Sequence, residues 1–290
     1  MIGIISALAA ALSWTYACFI WRTQTEKYKS LDINLVKNIV AFIIFTPVLL
    51  TFDFSTDSKY IFILLLSGVI GIGLGDTFYL KSLQIIGTRK TLSVETLSPL
   101  IAALSGEIFI NENLKTNSWI GIFIISISLF IILSKEGNFK EKKLTFSEKR
   151  SSKIYLFPFL SVLCAVAGGI FSRIVFIESD ISPLHTTELR LLGAIIFLIF
   201  IRRFKINFYL NNLGKNQQRR FLLSIFLGTN VGILLQQVVF KTLPLGIGWT
   251  LLSTSPIISL IFARNEEKEI TKEIILLTCL LFFGLTLVIL

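Results

Sequence analysis

Apolar positions run through this chain in long, nearly unbroken stretches separated by short polar connectors. A helix that crosses a bilayer needs roughly 17–25 mostly apolar residues. Ten stretches meet that length: residues 2–20, 33–52, 60–80, 91–110, 116–133, 154–176, 184–201, 221–240, 245–263 and 274–290. Strands of a membrane barrel would be about half as long and would alternate apolar with polar; these runs do neither. The pattern predicts an all-α membrane protein of ten transmembrane helices. A polar linker, residues 135–153, separates the first five from the last five, and little chain remains for a soluble domain.

Composition agrees. Of 290 residues, 53% are hydrophobic and 16% charged, against about 25% charged in soluble domains. That excludes a soluble enzyme, a disordered chain and a secreted disulfide scaffold. The net charge of +10 does not point to nucleic acid, because the basic residues sit in connectors and not in a stripe on a polar helix. Connectors after the odd-numbered helices hold about 22 Lys and Arg, and those after the even-numbered ones about 3. The positive-inside rule then makes the odd connectors cytoplasmic and puts both termini outside the plasma (inner) membrane. Cys18, Cys164 and Cys279 are scattered in apolar segments and His185 is the only histidine, so neither a metal site nor a cofactor is expected. No charged segment precedes the first apolar run, so a cleaved leader is not expected.

A shift of 157 residues lays one half of the chain on the other. Leu66-Ser67 falls on Leu223-Ser224, Gly71 and Gly75 on Gly228 and Gly232, Ser98-Pro99 on Ser255-Pro256, Glu112 on Glu269, and Leu133 on Leu290. At a slightly different shift Lys37 falls on Arg190. The reading is a first five-helix repeat, 1–134, the basic linker, 135–153, and a second five-helix repeat, 154–290. Five is odd, so the second repeat enters the membrane in the opposite sense. Such inverted-topology repeats mark secondary transporters with a site near the midplane.

Each half carries a glycine-rich helix (68–81 and 228–241), then Leu97-Ser98-Pro99 or Thr254-Ser255-Pro256, then Glu112 or Glu267 and Glu269, then a final helix with Gly121 or Gly284. This duplicated order resembles the EamA-type family of the drug/metabolite transporter superfamily, over nearly the whole chain. The resemblance implies ten helices and alternating access, with helices 1, 3, 4, 6, 8 and 9 lining a cavity. It also implies substrates such as amino acids, other metabolites or drugs.

Charges inside a bilayer cost roughly 2.5–3.5 kcal/mol each on insertion scales and need a reason. Depth along each predicted helix groups Lys37, Asp76 and Glu95 near the cytoplasmic side, and Arg173, Glu188 and Arg190 near the outer side. These are candidates for gating or proton coupling; the plainer reading is that long side chains such as Lys37, Lys81 and Arg173 snorkel to an interface. Helix 4 carries a polar face of Thr91, Glu95 and Ser98, and helix 9 carries Thr250, Ser253 and Thr254. Pro99 and Pro256 each remove a helical hydrogen bond and would free carbonyls beside these hydroxyls. Trp14, Tyr16, Asn230, Gln236 and Trp249 complete the candidate substrate contacts, with Gln237 beside them; Trp21, Tyr28 and Trp119 read as interface markers. Gly71, Gly75, Gly228 and Gly232 read as close-packing positions.

The sequence thus points to a multi-pass secondary transporter, not an enzyme. It would move a small polar or amphipathic metabolite by alternating access, as an exporter that exchanges protons. Its partners would be the small-molecule substrate, the lipid bilayer and protons, with no nucleic acid, and it would act as a monomer or homodimer. A lipid-precursor flippase is the alternative transport reading. An integral membrane enzyme acting on lipid-linked substrates fits less well, because the connectors are basic and hold no paired Asp motif.

Overall fold

The computed structural model describes residues 1–52, 57–135, 155–204, 209–255 and 272–289. The described residues are helical, with no strand among them. In chain order the helices are α1 Ile2–Thr25, α2 Ser30–Leu49, α3 Ser58–Ser67, α4 Asp76–Glu95, α5 Ser98–Ile110, α6 Thr116–Lys135, α7 Leu156–Glu178, α8 Pro183–Ile201, α9 Lys215–Ile225, α10 Gly232–Thr242, α11 Leu245–Leu252 and α12 Lys272–Ile289. Two π-helical stretches, Gly68–Gly75 and Phe226–Val231, join α3 to α4 and α9 to α10. Among the described residues seven segments are long and apolar enough to cross a membrane, and α6 and α12 contribute shorter apolar helices. The second part of the expected ninth span, with Pro256, and the connector after it, with Glu267 and Glu269, lie outside the described residues, as does nearly all of the linker.

Local chemistry explains the boundaries. The Asp57 carboxylate caps α3 by accepting from the Lys59 amide at 2.8 Å. Ser182 caps α8 in the same way and Pro183 follows at its first turn, where a missing N–H is harmless. Asn111 ends α5 in the left-handed conformation at φ 57°. Gly87, at φ 83° and ψ 171°, breaks α4 in a backbone region that only glycine adopts easily.

Residues 90–110 form one membrane-length stretch. Its first helical part ends at Glu95, and the chain turns at Thr96 and Leu97 with both in the right-handed helical region. Then α5 follows, with Pro99, which has no N–H to give the Glu95 carbonyl, in its first turn. The matching stretch behaves alike: α11 ends at Leu252 and turns at Ser253 and Thr254. The chain therefore breaks just before both Ser-Pro pairs, at positions 157 residues apart. The two π-helical stretches are also offset by about 157 residues. A π-turn inserts one residue into the helical ladder and is often found at functional sites.

The glycines of each π-helical stretch receive the first helix of the other half. Gly71 and Gly75 lie against Gly168 and Cys164 of α7, where a Cβ on Gly71 would stand 3.3 Å from the Gly168 Cα. Ser67 Oγ donates to the Gly168 carbonyl at 2.7 Å across the same crossing. In the other half Gly228 and Gly232 lie against Ala17, Trp21 and Trp14 of α1, and the Trp14 indole N–H donates to the Gly228 carbonyl at 2.9 Å. Small residues let helix backbones approach where lipid supplies no hydrophobic drive between helices. The final helices of the halves, α6 and α12, pair with each other, with Gly121 against the Gly284 carbonyl. Large apolar side chains such as Phe62, Ile108, Phe123 and Phe200 face outward.

Candidate functional site: a charged cavity between the two halves

These crossings enclose a cavity of about 180 Å³. It is walled by α1, α2, α4, the turn before α5, α7, α8, α10 and α11 together with the π-helical stretches. Arg190, Gln236 and Trp249 line it near mid-span; Glu95, Leu92, Thr88 and Phe19 line it toward the end of the bundle that carries the basic connectors.

Four formally charged side chains reach this space: Lys37, Asp76, Glu95 and Arg190. Their formal charges cancel, yet they are not two closed pairs. Lys37, 1% exposed, donates to Asp76 and lies 5.0 Å over the Trp21 ring. Asp76 is the more open partner at 33% exposed. Glu95 accepts from the Ser161 hydroxyl of α7 at 3.2 Å. Arg190 makes one long contact, to Gln236 Oε1 at 3.5 Å, and its Nε has no partner among the described residues. A guanidinium that keeps donors free inside a membrane protein has unused capacity for an anionic group. The Tyr79 hydroxyl and Cys18 thiol meet at 3.1 Å on the wall beside Glu95.

A second ion pair joins helices at the far end of the bundle. Arg173 Nε donates to Glu112 Oε1 at 2.6 Å, and its NH1 donates to the Phe240 and Lys241 carbonyls at the end of α10 at 2.8 and 3.1 Å. Glu112 Oε2 accepts the Leu245 amide at 2.6 Å, at the start of α11. One arginine and one carboxylate thus join α7, α10, α11 and the α5–α6 connector. Trp249 and Phe240 rings, 5.8 Å apart, lie between this tie and the cavity wall. The cavity therefore has one tied end and one end facing the basic connectors.

The sequence profile of the EamA-like transporter family matches residues 1–134 and 152–290. The chain belongs to the EamA-like transporter family. An uncharacterised transporter of Archaeoglobus fulgidus is 24% identical over 133 residues, a match that spans 45% of this chain and 46% of that relative, about half its length. A crystal structure described only as that of a protein shares the fold, with a TM-score of 0.73 at 12% identity over 98% of this chain and 95% of that one.

In this family member the predicted candidates separate by where their side chains go. Trp14, Lys37, Asp76, Glu95, Ser98, Arg190, Gln236, Trp249 and Ser253 line the cavity, as do Gly71, Gly75 and Gly228. Thr91, Thr250 and Thr254 do not; each is buried and returns its hydroxyl to its own helix, at the Gly87, Gly246 and Leu251 carbonyls. Asn230 is buried at a helix crossing, donating to the Ala41 carbonyl at 2.8 Å. Gly232 packs against Trp14, and Pro99 opens α5. Tyr16 points outward, 41% exposed, because the α1 face that meets the cavity is that of Trp14, Thr15, Cys18 and Trp21.

The two expected charge clusters are rearranged. Arg190 joins Lys37, Asp76 and Glu95 at the cavity instead of an outer group, because its side chain reaches inward past Gly71, where a Cβ would stand 2.9 Å from its NH2. Arg173 pairs with Glu112. Glu188 stands apart from both. Trp21 is a buried cavity wall, not an interface marker. Residues that the sequence did not single out include Tyr79 and Ser161, while Ser255, the repeat counterpart of Ser98, lines the cavity beside Ser253. The Tyr79 and Ser161 hydroxyls sit in apolar runs, so only the helix crossings reveal them.

Proposed function

We propose that this chain is a secondary transporter that moves a small polar or amphipathic metabolite by alternating access. The reading includes ten membrane spans arranged as two inverted-topology five-helix repeats. It is supported by the offset of 157 residues shared by the π-helical stretches and the Ser-Pro breaks, and by the reciprocal packing of α1 and α7 on the other half's glycines.

One observation carries the substrate class. Arg190 and Glu95 line a single cavity without pairing to each other, while Trp14, Trp249, Ile72 and Leu92 supply apolar wall. A substrate with an anionic and a cationic end and an apolar body meets all three features, which is an amino-acid-like or amphipathic zwitterion. Arg190 would take the anion and Glu95 the cation. The Arg173–Glu112 tie closes one side while the other is open, and release of that tie is the step that would expose the substrate to the far side. Export in exchange for a proton on a membrane carboxylate belongs to the same reading. Of the cavity carboxylates, Asp76 is engaged by Lys37 and Glu95 by Ser161.

The test is thermal stabilisation of detergent-purified protein by amino acids, nucleosides, sugars, polyamines and amphipathic drugs. A ligand at 100 times its dissociation constant stabilises by about 2.7 kcal/mol. Zwitterionic amino acids should raise the melting temperature of the wild type, and Arg190→Gln and Glu95→Gln should each abolish the shift. Stabilisation by uncharged or lipid-like compounds alone would overturn the zwitterion assignment and favour the lipid-precursor flippase.

A further inference from the structure

Glu188 is the one carboxylate of α8, and its side chain is fully buried in the membrane part of the bundle. Neither carboxylate oxygen has a hydrogen-bond partner among the described residues. It does not line the cavity. An isolated carboxylate in such a place is so costly that it does not persist as a bare ion; it takes up a proton or a cation.

A second side chain in the same seam shares this state. Gln237 of α10 is fully buried, and neither its Nε2 nor its Oε1 has a partner. The Arg190–Gln236 contact sets the register between α8 and α10. The two helices belong to consecutive spans and run in opposite senses, so a step back from Arg190 and a step forward from Gln236 move the same way along the seam. Glu188 and Gln237 therefore lie within about one helical turn of each other along the seam.

The other charged groups on helices packed against α8 are engaged elsewhere. On α2, Asp32 pairs with Arg202 and Lys37 with Asp76. On α3, Lys59 pairs with Glu178 and stands over Tyr60. On α10, Lys241 donates to the Ile181 carbonyl. On α8 itself, His185 contacts Ser182 and Thr51, and Arg190 contacts Gln236. No cation of the protein is paired with Glu188 among the described residues.

We propose that Glu188, with the Gln237 amide oxygen, is the coupling-ion site of this transporter: a proton or a sodium ion bound in the α8–α10 seam, outside the substrate cavity. Carboxylate and amide oxygens are the donors a hard cation takes. The coupling role rests on the transporter reading above; the binding itself does not. Occupancy neutralises Glu188 and lets α8 and α10 keep the register in which Gln236 holds Arg190 at the cavity. An empty, ionised Glu188 draws water or a cation into the seam and shifts that register, which changes what Arg190 offers a substrate. Ion and substrate thus act on one helix pair from two sides.

The experiment is infrared spectroscopy of the full-length protein in lipid nanodiscs, read at the carbonyl stretch of a buried protonated carboxylic acid. Spectra are taken from mildly acidic to mildly alkaline pH, in sodium chloride and in choline chloride. The wild type should show a band that Glu188→Gln removes and Glu95→Gln retains. A band unaffected by the choice of salt assigns the site to a proton; a band that sodium displaces and choline does not assigns it to either cation in competition. Gln237→Leu, which leaves Glu188 in place, should abolish the sodium effect or move the pH at which the band disappears. Wild-type spectra identical to those of Glu188→Gln under every condition would overturn the proposal. So would a Gln237→Leu protein indistinguishable from wild type, which keeps the test open if Glu188→Gln fails to fold. Loss of cavity ligand binding with this band intact would count against the transporter reading instead.

Discussion

Lys37 and Asp76 form one ion pair with unequal burial: the ammonium side chain is 1% exposed, the carboxylate 33%. Removing one partner of a buried pair strands the other, at a cost of about 3–5 kcal/mol when the stranded charge is dry. Asp76→Asn should therefore destabilise far more than Lys37→Met, which leaves a carboxylate that already reaches the cavity. The double variant should recover much of the Asp76→Asn loss, since no charge is then stranded. Thermal denaturation in detergent measures all three. Equal losses for the two single variants would contradict the burial asymmetry.

The Arg173–Glu112 tie predicts a change in access. Glu112→Gln removes the charge that holds Arg173 and weakens the acceptor of the Leu245 amide. The end of the bundle it closes should then open more often. Cys18 lines the cavity and reports this, in a protein with Cys164 and Cys279 replaced by serine. In oriented proteoliposomes, an impermeant thiol reagent applied from the tied side should label Cys18 faster in Glu112→Gln than in the parent. Unchanged labelling from that side would mean the tie is not a gate.

Gly68 and Gly214 make a matched pair for packing. A Cβ on Gly68 would fall on the Arg190 backbone carbonyl, and backbone cannot move aside cheaply. Gly68→Ala should cost about 3 kcal/mol or more, at or beyond the usual range for overpacking. A Cβ on Gly214 meets nothing within 4 Å, so Gly214→Ala should change stability by less than about 0.5 kcal/mol. Melting temperatures of the two variants side by side check this.

Gly87 tests the break in α4. Its φ of 83° and ψ of 171° are strained for any residue with a Cβ, so Gly87→Ala should cost about 1–3 kcal/mol. The larger effect should be on the site. Straightening this break would rotate Glu95 against Ser161, so the zwitterion-induced thermal shift should fall more than stability alone explains. A variant with normal ligand response would place the break outside the function.

Particular residues show how far the sequence could be read. Long apolar runs required helices, because a bilayer leaves the backbone no other way to satisfy its hydrogen bonds. The 157-residue offset located both glycine crossings and both Ser-Pro elements before any coordinate. It did not reveal how the backbone turns at Thr96 and Leu97, because a proline only marks where a helical hydrogen bond is missing and the packed neighbours set the bend. Tyr16 and Trp21 were misread in opposite directions for a related reason. Both are aromatic residues on one apolar helix, and an apolar helix surrounded by lipid and protein carries no polar face to say which side turns inward.

Charge placement divides along the same line. The sequence by itself determined that this is an all-helical membrane protein with charges buried in its spans, since hydropathy and backbone satisfaction act locally and leave their mark in composition. It also determined the duplicated order that the EamA-like family profile recognises. Only the tertiary structure decided which charges meet. Arg190 lies near the middle of α8 and enters the same cavity as Lys37, Asp76 and Glu95 because a glycine on a different helix leaves room for its side chain. Arg173 finds Glu112 across sixty-one positions of sequence, and Glu188 finds none of them. Partner choice depends on the rotation and crossing of packed helices, and those follow from where small residues let backbones approach, a property of helix pairs and not of either sequence segment alone.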